Sequence, residues 1–418
     1  MERRPDAISR RTALLTGIAL PAGLLAAKAT PAAALQPAAA LQPATALRSA
    51  SSPRLTLPAP TGHCRTGTVS LHLVDPSRPD PWVPSDRVRE LMIQLWYPAH
   101  MVDGHPRAPY LTAPTARAYE KANGLPVLNW PVTAAYAGAP VHQRRGGWPV
   151  VVYSHSLGGE RFETTSLVED LASHGYVVVT IDHVHDAGVV VLPDGRVATS
   201  AVPQLPGEGG SPLTTKAIES RVADVRFVLD QLGAINRGDN PGHEHRPLPH
   251  GLRGALDLGR VGMFGQSDGG STTGHALHAD ARIAVGVDLD GTFWTSQAVA
   301  GSGRPLLLFG RQDLDSFEAA TWAEFWKNQR GPRLRLNLKG SKHDTFTDFA
   351  PLLSQVAPIL GEPPSWVIKG IGTINGQRAV AVQRAYIGAW FGKYLRHHDS
   401  TLLTGPSPRY PEVVVTLP

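Results

Sequence analysis

The chain has 418 residues, 42% hydrophobic and 18% charged, which supplies a sizeable core and excludes a disordered polyelectrolyte. The formal net charge is +5, but Arg3, Arg4, Arg10, Arg11 and Lys28 against Glu2 and Asp6 put +3 of it in residues 1–34, and no basic cluster of nucleic-acid-binding size remains elsewhere. Cys64 is the single cysteine, so no intrachain disulfide can form, and no uninterrupted apolar run beyond the N-terminus is long enough to span a membrane.

The N-terminal 34 residues read as an export leader: a basic start, an apolar stretch and small residues at candidate cleavage points. The Arg10–Arg11 pair in "SRRTALL" predicts secretion by the twin-arginine route. An Ala- and Pro-rich stretch with three copies of a six-residue unit follows, which predicts a flexible tether over 35–54. A single catalytic domain is expected over 55–418, with no internal linker.

Eight strands are expected in chain order. "TVSLHLV" (68–74) and "LMIQLWYP" (91–98) form an antiparallel pair across a turn rich in Pro and Asp. Then come 148–154, 176–182, 260–265, 283–289, 305–310 and 333–338, mostly near-continuous Val, Ile and Leu. Helices are expected at 161–173, 214–235, 269–279, 315–328 and 376–397. The clearest is 214–235, where Ile218, Val222, Val225, Leu229 and Leu232 repeat at helical spacing. A hairpin around a Pro-Asp-Gly turn is expected at 189–200, and a loop at 236–251. Strands alternating with helices predict an α/β fold, a mostly parallel eight-stranded sheet with helices on both faces.

Two segments end an apolar run in Ser-x-Gly: "VVYSHSLGG" (151–159) and "VGMFGQSDGG" (261–270). In an α/β-hydrolase sheet the oxyanion loop follows the third strand, the nucleophile turn the fifth and the histidine the eighth. The strand count therefore selects Ser267 over Ser156. Local sterics agree, since the strained turn needs small residues two before and two after the nucleophile, as Gly265 and Gly269 are. The oxyanion donors are then the N–H groups of Asp268 and Leu157, and the Ser156 hydroxyl is expected to orient the loop.

His343, just beyond the eighth strand, is the expected base. His183 and His185 are expected to line the pocket. His243, His245 and His250 share a loop but match no metal-binding spacing, so neither a metal nor another cofactor is expected. Two acids compete: Asp290 after the sixth strand and Asp313 after the seventh, the second being the usual α/β-hydrolase position. A serine, acid and histidine in this order argue against a non-catalytic binding protein on the same scaffold.

The motifs "LHLVDPSRPDPW", "LMIQLWYPA", "PVVVYSHSLGG", "LASHGYVVVTIDH", "DVRFVLDQL", "GMFGQSDGG" and "GSKHDTFTDF" together resemble the secreted and type II intracellular platelet-activating factor acetylhydrolases, in a bacterial branch. The resemblance runs across most of 55–400. It implies a calcium-independent serine esterase acting on small-molecule or lipid esters, such as short-chain or oxidised phospholipids, with transient contact with lipid surfaces. It maps the acid onto Asp290 in "LDG", the base onto His343 and the oxyanion leucine onto Leu157. Polyester and cutin hydrolases share the fold and triad and set an alternative substrate class. Gln266 and Asp268 depart from the family's usual histidine before and apolar residue after the nucleophile. A carboxylate at Asp268 is expected to stand at the mouth of the oxyanion site and disfavour anionic substrates.

Overall fold

The computed structural model describes residues 53–83, 85, 88–203 and 211–417. The leader, and all of the proposed tether except residues 53 and 54, lie outside the described residues. The strands are β1 (Arg65–Pro79), β2 (Val88–Ala99), β3 (Arg107–Pro109), β4 (Val132–Ala137), β5 (Trp148–Ser154), β6 (Val177–His183), β7 (Val189–Val191), β8 (Val197–Thr199), β9 (Leu256–Gln266), β10 (Ile283–Leu289), β11 (Leu306–Arg311), β12 (Arg333–Leu338) and β13 (Val413–Thr416). The helices are α1 (Ala113–Asn123), α2 (Thr165–Ser173), α3 (Pro212–Arg237), α4 (Asp268–Ala279), α5 (Ser296–Val299), α6 (Ser316–Asn328), α7 (Phe349–Leu360), α8 (Pro364–Ile371) and α9 (Gly376–Arg396). All eight expected strands are present, and β3, β4 and β13 extend their sheet to eleven, in the order β13-β12-β11-β10-β9-β5-β6-β2-β1-β4-β3. The run from β12 to β6 is parallel, β2 pairs antiparallel with both β6 and β1, and β7 and β8 form the expected hairpin apart from the sheet.

Alternate residues of each central strand feed opposite cores, as the pleat requires. Val150 and Val152 of β5 and Leu306 and Leu308 of β11 pack under α3, α4 and α6. Val151 and Tyr153, with Leu307 and Phe309, pack under α2 and α9. Burial on both faces is why these strands read as unbroken apolar runs. The helix ends follow local chemistry. Ser211 caps α3 by accepting from the Thr214 N–H at 3.2 Å, and Gly238, at φ 106°, ends it in the left-handed region. Chain order reverses around β5, whose neighbours are β6 and β9. A crevice at the carboxyl ends of such strands is the general ligand position of open parallel sheets.

Candidate active site

Three adjacent strand ends present the first groups. Gln266 of β9 pairs with Leu289 of β10, and Leu289 pairs with Phe309 of β11. One residue further on, the Ser267 N–H donates to the Leu289 carbonyl at 2.9 Å and the Asp290 N–H to the Phe309 carbonyl at 3.0 Å. Both residues leave the sheet with positive φ, 57° at Ser267 and 54° at Asp290. A non-glycine residue held there stores roughly 1–3 kcal/mol of strain, tolerated only where the surroundings over-determine it. At Ser267 they do. A Cβ on Gly265 would lie 2.2 Å from the Gly269 carbonyl carbon, and one on Gly269 would lie 2.0 Å from the Ser154 carbonyl oxygen. The turn thus closes on itself and packs against the end of β5. Asp268 opens α4, so its N–H has no carbonyl one turn back within the helix.

His343 follows β12 and begins a short 3₁₀ turn. Thr345 pins that turn by donating its hydroxyl to the Ile371 carbonyl at 2.7 Å. The His343 Nδ1–H donates to Asp290 Oδ2 at 2.7 Å, and Nε2 accepts from the Gln266 side-chain amide at 3.1 Å. Arg311 completes the shell of Asp290: its N–H donates to Oδ1 at 2.7 Å and its Nη1 to Oδ2 at 2.6 Å. Burial alone would raise the Asp290 carboxyl, but the His343 hydrogen bond and charge and the Arg311 charge outweigh it and hold the pKa below the ordinary value. For His343, burial works downward, and the Asp290 hydrogen bond and charge override it and move the pKa up from 6.5. Asp313, the alternative acid, is exposed in the turn beyond β11. The structure thus joins Asp290, not Asp313, to His343.

Ser267 and His343 share a cleft of about 360 Å³ with Asp268, Trp294, Lys342 and Lys369. The Asp268 carboxylate is not free at its mouth. Oδ1 accepts from the Trp294 indole N–H at 2.8 Å, and the side chain is buried. Burial raises its pKa, with Arg221 and the Trp294 bond acting the other way. The indole it binds stacks on exposed Phe317 at 5.5 Å. Trp294, Phe317, Arg311 and the two lysines have no local sequence signature, because only the fold brings them together.

The other expected residues fall as follows. Leu157 lies in the turn after β5, and among the described residues neither its N–H nor that of Ser156 has an acceptor. The Ser156 hydroxyl makes no hydrogen bond among the described residues; its carbonyl, not its hydroxyl, anchors the loop. His183 is fully buried rather than pocket-lining: Nε2 meets the Ser154 hydroxyl at 2.9 Å and Nδ1 meets Asp224 Oδ2 at 2.9 Å. His185 bonds Asp80 at 2.9 Å instead of facing the cleft. In the 236–251 region, Glu244 accepts from His72 at 2.8 Å and the His243 ring packs edge-on to His72. Among the described residues no group of three or more His, Cys, Asp or Glu could hold a metal ion, and no helix is long and apolar enough to cross a membrane.

The sheet and this cleft are those of an α/β-hydrolase, and comparison with known proteins narrows the class to carboxylic ester hydrolases. A solved structure of ferulic acid esterase from Streptomyces cinnamoneus superimposes with a TM-score of 0.73 at 34% identity, covering 86% of this chain and 99% of that one. The family model of platelet-activating factor acetylhydrolase, isoform II, matches residues 94–382, and the chain belongs to that family. A probable 1-alkyl-2-acetylglycerophosphocholine esterase of Arthroderma benhamiae is 27% identical over 65% of this chain and 67% of its own length. The platelet-activating factor acetylhydrolase of Cavia porcellus is 25% identical over 58% of each chain. The matched stretch therefore spans 67% and 58% of these two relatives' lengths.

Proposed function

We propose that the protein is an exported serine esterase working through an acyl-enzyme. The observation that carries this is the 2.7 Å bond from His343 Nδ1 to buried Asp290, in a cleft shared with Ser267. That bond fixes the proton on Nδ1 and leaves the Nε2 lone pair as the base. Ser267 Oγ attacks the ester carbonyl carbon while its proton passes to His343 Nε2, the hydroxyl taking the place the Gln266 amide holds at rest. The carbonyl electron pair moves onto oxygen, where the N–H groups of Leu157 and Asp268 receive it. The C–O bond to the alcohol then breaks, and His343 returns the proton to the departing alkoxide. Water repeats the sequence on the acyl-serine and releases the acid. The imidazolium formed between these steps lies beside an ionised carboxylate that is itself held by Arg311.

We propose short acyl esters, including short-chain phospholipids, as substrates; the family membership and the named activity of the Arthroderma benhamiae relative support this. A second reading, esters of aromatic acids, is favoured by the Trp294–Phe317 pair beside the cleft and by the likeness to the ferulic acid esterase. The test is kcat/KM for p-nitrophenyl acetate, butyrate and octanoate, dibutyryl phosphatidylcholine, methyl ferulate and a polyester film. The first reading expects acetate to exceed octanoate by about tenfold or more, with turnover of the phospholipid. Methyl ferulate as the best substrate would replace it with the second, a preference for the film would favour a polyester hydrolase, and no turnover by folded protein would leave a binding protein.

Export by the twin-arginine route is part of the proposal and rests on the "SRRTALL" motif. Substituting Lys for both Arg10 and Arg11 is expected to retain the enzyme in the producing cells. Undiminished activity in the medium would refute that route.

A further inference from the structure

Arg221 lies on α3 at a position that faces the core, and its side chain is 1% exposed. A charge so placed needs partners for nearly every donor. Two go to one carboxylate: Nε donates to Asp186 Oδ2 at 2.8 Å, and Nη2 donates to Oδ1. Two more go to backbone: Nη1 donates to the His155 carbonyl at 2.5 Å and Nη2 to the Ser156 carbonyl at 3.1 Å. These are the first two carbonyls of the loop between β5 and α2. The Ser156 carbonyl has two further donors, the His155 Nδ1–H at 2.6 Å and the Gly159 N–H at 3.1 Å. The tautomer follows, because His155 Nε2 accepts from the His183 N–H at 3.2 Å and so carries no proton.

Two consecutive carbonyls aimed at one guanidinium have a geometric consequence. The described chain has no cis peptide, and across a planar trans peptide the C=O and the next N–H point in opposite directions. Holding the His155 and Ser156 carbonyls toward Arg221 therefore turns the N–H groups of Ser156 and Leu157 away from it. Neither has an acceptor among the described residues. Successive N–H groups directed to one side form a concavity suited to an anion. The same helix face anchors the strand feeding the loop: Asp224, three residues on from Arg221, binds His183, which binds the Ser154 hydroxyl.

We propose that Arg221 is the positioning residue of the oxyanion site, a buried clamp that sets the Ser156–Leu157 peptide plane so that the Leu157 N–H is aimed before substrate arrives. The proposal rests on the esterase reading above. Arg221 touches no substrate; it acts through the peptide it holds. Preorganised donors lower the barrier because they need no reorientation when the charge develops. Losing the clamp should therefore weaken binding of the tetrahedral state and leave ground-state binding alone.

The test uses Arg221→Lys, which keeps a charge for Asp186 but cannot reach both carbonyls with a fixed fork, and the double variant Arg221→Met/Asp186→Leu, which removes the buried pair together. Thermal unfolding by circular dichroism verifies folding. With p-nitrophenyl acetate, kcat is expected to fall about tenfold in the lysine variant and about 100-fold in the double variant, with KM within about twofold. The Ki of a trifluoromethyl ketone, which forms a hemiketal oxyanion on the nucleophile, should rise by the same factors. A folded lysine variant with wild-type kcat, or losses confined to KM, would overturn the clamp. Ser267→Ala, run in parallel, separates this from the parent reading: activity surviving there would overturn the esterase site itself.

Discussion

Replacing Ser267 by alanine is expected to abolish turnover of p-nitrophenyl acetate, with kcat falling by on the order of 10⁶. The substitution removes the attacking oxygen and little else. Alanine at φ 57° is strained much as serine is, and the two glycines that close the turn are untouched, so the unfolding midpoint should barely move. The paired experiment is Ser156→Ala. That hydroxyl makes no hydrogen bond among the described residues, and the loop is held by the Ser156 carbonyl, which alanine retains. Its kcat should stay within about threefold of wild type. A dead Ser156→Ala enzyme beside an active Ser267→Ala enzyme would move the nucleophile to the loop after β5.

The serine and histidine were legible because Ser267 directly follows the buried strand β9 and His343 lies in the loop five residues beyond β12, and the strands before them, most of them near-continuous apolar runs, can be counted along the chain. Counting those runs placed "GQSDGG" after one strand and "GSKHD" after another. The acid was not legible from the residues alone: Asp290 and Asp313 both follow such runs, and only the fold shows that one reaches the imidazole while the other is exposed. The β4–β3 edge of the sheet leaves no such run, for a related reason. β3 has three residues, one of them Pro109, and β4 carries three alanines, so neither reads as a buried run. Helix α7 was hidden by Pro351 and Pro358, which argue against helix in isolation; it packs all the same through Leu352, Leu353 and Val356.

Arg221 and Asp224 do leave a trace in the sequence. They fall within the apolar stripe Ile218, Val222 and Val225 of α3, and both are buried. A charge on the core face of an amphipathic helix must have a buried partner, so the stripe itself marks where a polar network enters the core. Which network cannot be read locally, since Asp186 lies 35 residues from Arg221 and Arg89 lies 135 from Asp224. The Asp268 carboxylate shows the converse limit. Its place after the nucleophile is plain in the sequence, but its partner Trp294 is 26 residues away, and that partner decides whether the charge confronts substrate or holds an indole.

Asp290→Asn is expected to lower kcat by about 10³- to 10⁴-fold, with Asp313→Asn within about twofold of wild type. The asparagine amide can donate where the carboxylate accepted, which favours the proton on Nε2 and removes the lone pair Ser267 needs. Arg311 would keep its bond to Glu318, so part of the shell survives, and circular dichroism should show a folded protein. The pH profile separates this from a general loss of packing. The working base is the neutral imidazole, so activity rises with pH through the His343 pKa. In the wild type Asp290 raises that pKa above 6.5, which sets the midpoint of the acid limb of kcat/KM above 6.5. Without the carboxylate its two upward contributions are gone; Asp344 still pushes upward and burial and Arg311 downward, so the limb of Asp290→Asn should shift to lower pH than in the wild type. A large rate loss with an unshifted limb would mean that Asp290 supports the turn after β10 rather than the charge on His343. Equal losses in folded Asp290→Asn and Asp313→Asn would mean that the imidazole changes partner during the reaction.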